Sequence, residues 1–108
     1  MCSPPAIPKY ADNLVNLVKD VRKEFKLPRL PVIIGELGNG GPNAKGDMLA
    51  LRQAQKAGSA KIKDALFVET ASCARPLKLS PNTGHCHHWF GNAESYFLIG
   101  DKLGKGML

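Results

Sequence analysis

Three histidines fall within four consecutive positions of this sequence, in Gly84-His85-Cys86-His87-His88-Trp89, beside a cysteine and the only tryptophan. Imidazole ordinarily titrates near pH ~6.5, so it can take up and return a proton close to neutrality. An adjacent tryptophan can form a sugar-facing wall or simply bury apolar surface. The segment therefore reads either as a general base with a binding wall or as a surface loop anchored by Trp89. Imidazole nitrogen and thiolate also suit zinc, nickel or copper. Four nearly adjacent residues do not converge easily on one tetrahedral ion, however, and the usual short ligand pairs separated by a spacer are absent. Cys73 is the one remote thiol that could join them, and the reading assigns no metal and no cofactor.

Glu36 follows the apolar run Val32-Ile33-Ile34. In open α/β sheets, ligands gather at the carboxyl ends of the strands. Glu36 can receive a substrate hydroxyl there, pair with Arg52 across the loop, or make an ordinary loop hydrogen bond. Glu69 has the same positional argument in weaker form. Cys73 and Cys86 lack a paired base at a known spacing, which argues against either as a nucleophile. The Gly38–Gly46 loop superficially resembles a phosphate loop. Its Lys45 precedes Gly46 and Asp47, whereas a phosphate-loop lysine follows a glycine and precedes serine or threonine.

These residues need elements to hold them. Residues 1–9 are proline-rich and read as an irregular segment. Leu14, Val15, Leu17, Val18, Val21 and Phe25 recur at helical spacing, predicting an amphipathic helix over 11–25 with Asp12 or Tyr10 near its start. Val32–Ile34 and Leu66–Val68 read as buried strands, and a helix over 47–57 ended by Gly58 would join them as a βαβ unit. Residues 71–91 form a long connection. Asn92 then offers a cap to a terminal helix bearing Tyr96, Phe97, Ile99, Leu103 and Met107, in which Gly100 and Gly104 would permit close packing. Two strands leave a sheet edge to be covered, by a partner chain, a missing N-terminal portion or self-association.

Bulk properties narrow the classes. With 108 residues the chain holds one small domain. The net charge of +6 is dispersed along the chain, without an arginine-rich arm or an aromatic single-strand platform, so nucleic acid is not an expected partner. Nothing approaches the ~20 apolar residues of a membrane span, and the start at Met1 lacks the pattern of a secretory signal. The expectation is a soluble protein, cytoplasmic if Met1 is the native start. The cysteines Cys2, Cys73 and Cys86 are odd in number and give no disulfide framework, with a single Cys73–Cys86 bridge left open.

Several stretches together resemble the C-terminal half of the SGNH hydrolases, in the sialate O-acetylesterase-like or carbohydrate acetylesterase branch. They are Tyr10–Arg22, Leu30-Pro31-Val32-Ile33-Ile34-Gly35-Glu36-Leu37-Gly38, Arg52-Gln53-Ala54-Gln55 and, above all, His88-Trp89-Phe90-Gly91-Asn92-Ala93-Glu94-Ser95-Tyr96-Phe97-Leu98-Ile99-Gly100-Asp101. The resemblance implies part of a three-layer α/β/α, flavodoxin-like fold spanning residues 10–108, with at least two parallel strands and three main helices. It implies that His88 is the late general base of a serine esterase acting on an acetylated carbohydrate, with Glu36, Trp89 and Asn92 toward the substrate. Two features depart from the family pattern. The nucleophile segment is absent, since Ser3, Ser59, Ser72, Ser80 and Ser95 lack its context, and His85 stands where an acidic partner often precedes the histidine by three residues. Asn82 is a weak substitute for that partner. Two function classes follow: a portion of an esterase that needs a nucleophile-bearing part, or a noncatalytic structural or interaction protein that keeps the packing.

Overall fold

A computed structural model describes residues 4–108, apart from the side chains of Pro4, Cys86 and His87. Three α-helices, α1 (Ile7–Glu24), α2 (Gly46–Ala60) and α3 (Ala93–Met107), enclose two strands, β1 (Val32–Gly35) and β2 (Ala65–Val68). The strands run parallel, with Val32 opposite Ala65 and Gly35 opposite Val68. Alternation along each strand then sorts the side chains to two faces. Val32, Ile34, Ala65 and Phe67 pack with Leu14, Val15 and Val18 of α1 and with Ile62. On the opposite face, Leu103 lies against Gly35, and Gly106 lies close to Ile33, Leu66 and Val68. The result is helix, sheet, helix in three layers, the α/β arrangement expected from the sequence.

Several boundaries differ from the sequence reading. The irregular N-terminal segment expected over 1–9 is shorter, because α1 begins at Ile7 after a 3-10 turn at Pro4–Ala6. Pro8 lies in the first helical turn, where a missing N–H costs no helical hydrogen bond, so it starts the helix instead of delaying it. Leu17 lies in the helix but stays exposed, and Phe25, expected within it, caps its carboxyl end and is exposed too. Gly58 does not end α2, which continues to Ala60. A Cβ at Gly58 would sit 3.0 Å from the Ala11 carbonyl oxygen, so this glycine lets α1 and α2 approach closely. In α3 the glycine in close contact is Gly106; Gly100 and Gly104, expected to pack, face open space.

The carboxyl end of β1 is tied down from α2. Gln55 Oε1 accepts the Leu37 N–H at 2.8 Å, and its Nε2 donates to the Gly35 carbonyl at 3.4 Å. These two backbone groups alternate with Glu36, whose N–H pairs with Val68 of β2. Gln55 thus occupies, as a side chain, part of the edge at which another strand would pair. At the opposite end of the sheet, Arg22 donates to the carbonyls of Leu30 and Lys63, just before β1 and β2. Among the described residues, no helix is long and apolar enough to cross a membrane.

Candidate active site

The loop after β1 closes around a buried cation. Arg52, 6 % exposed, donates to the carbonyls of Leu37 (2.8 Å), Asn39 (2.7 Å) and Gly41 (2.9 Å). Its planar fork suits divergent acceptors in a way that a lysine ammonium does not. Gly40 and Gly41 take left-handed φ angles of +81° and +66°, the geometry that lets the chain turn its carbonyls onto one guanidinium.

Glu36 lies beside that loop, with Oε1 3.9 Å from Arg52 Nε, an ion-pair separation. Its Oε2 accepts the N–H groups of Thr70 and Ala71, each at 2.8 Å, while the Thr70 hydroxyl donates to the Glu36 carbonyl at 2.8 Å. One carboxylate therefore joins the segments that follow both strands. The side chain is 11 % exposed and borders an open groove of about 420 Å³ that also holds Lys56, Glu69, Ser72 and Lys102. In that groove Lys56 donates to Glu69 at 2.7 Å, and this bond holds the Glu69 carboxyl below its ordinary pKa of 4.5. Lys102 donates to the Glu69 carbonyl at 3.0 Å and to the Ser72 hydroxyl at 2.8 Å.

The histidine segment meets this frame through Trp89. A Cβ on Gly38 would lie 2.5 Å from both Trp89 Cη2 and Thr70 Oγ1, so the indole tip rests on the Gly38 backbone next to the turn that Glu36 braces. His88 precedes Trp89 and is exposed. Tyr96 on α3 donates its hydroxyl to the His88 carbonyl at 2.7 Å. The rings of His85 and His88 are 6.0 Å apart, tilted by 47°. Trp89, Phe90 and Gly91 have φ angles of 51°, 53° and 65°. For non-glycine residues that conformation costs roughly 1–2 kcal/mol each. It is held by hydrogen bonds from Phe90 N to His85 O, from Asn82 N to Phe90 O and from Asn92 N to Trp89 O, all at 3.0 Å.

Asn92 is buried and caps α3, its Oδ1 accepting the Ser95 N–H at 3.1 Å, as its position in the sequence predicts. Its Nδ2 donates to the Leu79 carbonyl and the Ser80 hydroxyl. The long connection is less irregular than expected, with short 3-10 turns at Ala71–Cys73 and Leu77–Leu79 and a kinked turn over Cys86–Gly91. Cys73 is a free thiol, 1 % exposed, so it is neither bridged nor accessible as a nucleophile. Among the described residues, no three His, Cys, Asp or Glu side chains gather as metal ligands; those of Cys86 and His87 lie outside that description, as does Cys2.

The structure thus brings Trp89 to the loop after β1, at the carboxyl edge of the sheet, with the exposed His88 next to it in the chain; Glu36 braces the segments that follow both strands. Glu36 and Trp89 border different hollows, and the polar atoms of Asn92 are taken up by the cap. Sequence reasoning missed a second hollow, of about 230 Å³, lined by Gly40, Ala74, Arg75, Trp89 and Phe90. Arg75 stands over it, paired with Glu94 at 2.9 Å. Nothing in the spacing of Arg75 and Glu94, nineteen positions apart, signals that pairing.

No curated protein and no solved structure matches the chain. One family model does, over residues 2–108, and its description is carbohydrate esterase, sialic acid-specific acetylesterase. A match over nearly the whole length, joined to a three-layer α/β arrangement with the histidine segment at the carboxyl edge of its strands, places this chain in the sialic acid-specific acetylesterase family of carbohydrate esterases.

Proposed function

We propose that this chain contributes the general base to hydrolysis of an O-acetyl ester on a carbohydrate, with His88 as that base. The observation that carries the reading is the seating of Trp89 on Gly38, which holds an exposed histidine at the strand ends of a carbohydrate-esterase family member. The nucleophile comes from a serine outside the contexts found here, on a nucleophile-bearing portion that joins this one. His88 takes the proton of that hydroxyl as its oxygen attacks the acetyl carbonyl, then returns it to the sugar oxygen that leaves. Water, deprotonated by the same imidazole, cleaves the acetyl-serine and releases acetate. Trp89 forms the wall beside the sugar. Glu36 and Asn92 act through the frame, since their polar atoms are engaged with Thr70, Ala71 and Arg52 in one case and with Ser95, Leu79 and Ser80 in the other. In the sequence, His85 stands at the position three residues before His88 where an acidic partner often lies.

The test combines this chain with a nucleophile-bearing portion of a family esterase and measures acetate release. Serine-dependent release is expected, and His88→Ala lowers it by about 10²–10⁴-fold. Release that survives the substitution removes His88 from the mechanism.

A second reading, a noncatalytic interaction protein, is favoured by apolar side chains left in solvent, among them Phe97 at 74 % exposure. A second copy or another protein over such surface would bury it. Absence of acetate release from the combined portions, with stable association between them, selects this reading.

A further inference from the structure

We propose that the hollow beside Trp89 is a sugar subsite in which Arg75 binds the carboxylate of an acidic sugar, the contact that selects such a sugar over its uncharged counterpart. The proposal rests on the carbohydrate-esterase reading and assigns a residue of this chain to the acid group of the sugar that the family description names.

Shape comes first. At about 230 Å³ the hollow lies below the ~300–1,000 Å³ range of sites for drug-sized ligands, so it takes part of a sugar and leaves the remainder outside. Trp89, Phe90 and Ala74 give it an apolar wall for the C–H face of a ring. Trp89 and Phe90 are held in left-handed backbone by the bonds to His85, Asn82 and Asn92, so the wall is set before a ligand arrives. The exposed His88 directly precedes Trp89, so a sugar seated here rests on the segment that carries the base.

Charge then selects the ligand. Arg75 is the charged residue in the lining. Its Nη1 donates to the Ser72 carbonyl at 3.4 Å and the Ala74 carbonyl at 3.3 Å, and its Nη2 to Glu94 Oε1 at 2.9 Å. A guanidinium has five N–H donors, so the Nε–H and one Nη2–H are left without an acceptor among the described residues. Two donors on neighbouring nitrogens form the fork that grips both oxygens of a carboxylate, and bonds to an ionised acceptor are about twice as strong as those to a neutral one. Glu94 lies outside the lining and is 61 % exposed, against 25 % for Arg75. Water therefore screens its charge, and its single bond steadies the guanidinium without closing the fork. The cations of the neighbouring groove offer less: Lys56 is bound to the Glu69 carboxylate, and Lys102 to the Glu69 carbonyl and the Ser72 hydroxyl. The net charge of +6 on the whole chain also favours the approach of an anion.

Trp89 is the only tryptophan, so its fluorescence reports on this hollow directly. The whole chain is titrated with the methyl glycoside of N-acetylneuraminic acid and with the methyl ester of that glycoside, which keeps the shape and removes the charge. Expected is a saturable change with the acid and about tenfold weaker binding of the ester. Arg75→Met lowers affinity for the acid about tenfold and leaves the ester within about twofold. Arg75→Lys falls between, because an ammonium keeps the charge without the fork. Glu94→Gln removes a competing anion and strengthens the acid by about twofold to fivefold. Lys102→Met, in the separate groove, leaves both ligands within about twofold. Circular dichroism checks the folding of each variant. Equal binding of acid and ester, a folded Arg75→Met or Arg75→Lys variant that keeps the parent's affinity for the acid, a loss in Lys102→Met as large as that in Arg75→Met, or no saturable change with either ligand overturns the proposal. Acetate release that still depends on His88 in that event leaves the esterase reading standing. Conversely, His88-independent release with the binding pattern intact removes only the base.

Discussion

Replacing Arg52 by methionine removes the group that satisfies the carbonyls of Leu37, Asn39 and Gly41 while keeping much of the aliphatic volume. Leu37 is exposed, so its carbonyl can turn to water; Asn39 and Gly41 are buried and lack that route. A hydrogen bond from a charged donor contributes about 1.5–3 kcal/mol net, and a buried acceptor left without a partner costs a similar amount. The Gly41 carbonyl keeps the Ala44 N–H at 3.4 Å, so the expected loss rests on the two charged-donor bonds to Asn39 and Gly41, about 3–5 kcal/mol, a large share of the ~5–15 kcal/mol that holds a domain folded. The loss also frees Glu36 from its ion pair at 3.9 Å, although Thr70 and Ala71 still donate to its other oxygen. Thermal unfolding should show a fall of at least about 12 °C, at about 4 °C or more per kcal/mol for a domain of this size. Urea titration should show the same free-energy loss with an unchanged slope. Arg52→Lys should fall between parent and methionine variant, because a point ammonium cannot span divergent carbonyls. A methionine variant within about 1 kcal/mol of the parent would refute the reasoning. It would mean that the 37–41 loop rehydrates freely and that its order does not depend on this cation.

Gly38→Ala places a methyl group 2.5 Å from Trp89 Cη2 and Thr70 Oγ1 and should push the indole off the loop. A red-shifted tryptophan emission and weaker acetate release from the combined portions are expected, whereas an unchanged spectrum would show that the seat yields without moving Trp89. The carboxyls of Asp64, Glu69 and Glu94 are held below their ordinary values of 3.8, 4.5 and 4.5 by hydrogen bonds from Arg29, Lys56 and Arg75. Because each is depressed in the folded state, the stabilisation is fully present above those ordinary values and is lost as pH falls through the lowered ones. Thermal midpoints should therefore decline in the acid range below about pH 4.5, and removing the partner cations by Arg29→Met, Lys56→Met and Arg75→Met together should flatten that decline.

The sequence by itself determined the element types and the location of the histidine segment. Apolar spacing along residues 14–25 and the β-branched run Val32–Ile34 leave few alternatives to an amphipathic helix and a buried strand, and the Asn92 cap is a local interaction between near neighbours. Other assignments needed contacts between distant residues. Gly58 reads as a helix stop until Ala11, far away in the chain, is found pressed against it. Glu36 reads alike as a substrate contact, a partner of Arg52 or a loop hydrogen bond, and only the folded chain shows Thr70 and Ala71 donating to it with Arg52 at ion-pair distance. Likewise, only the folded chain brings Arg75 to Glu94 and sets Arg75 at the hollow beside Trp89. The physical reason is range. Helical and strand periodicity and capping act over a few residues and are written in spacing, whereas the partner of a buried carboxylate or guanidinium is set by how packed layers bring remote segments together.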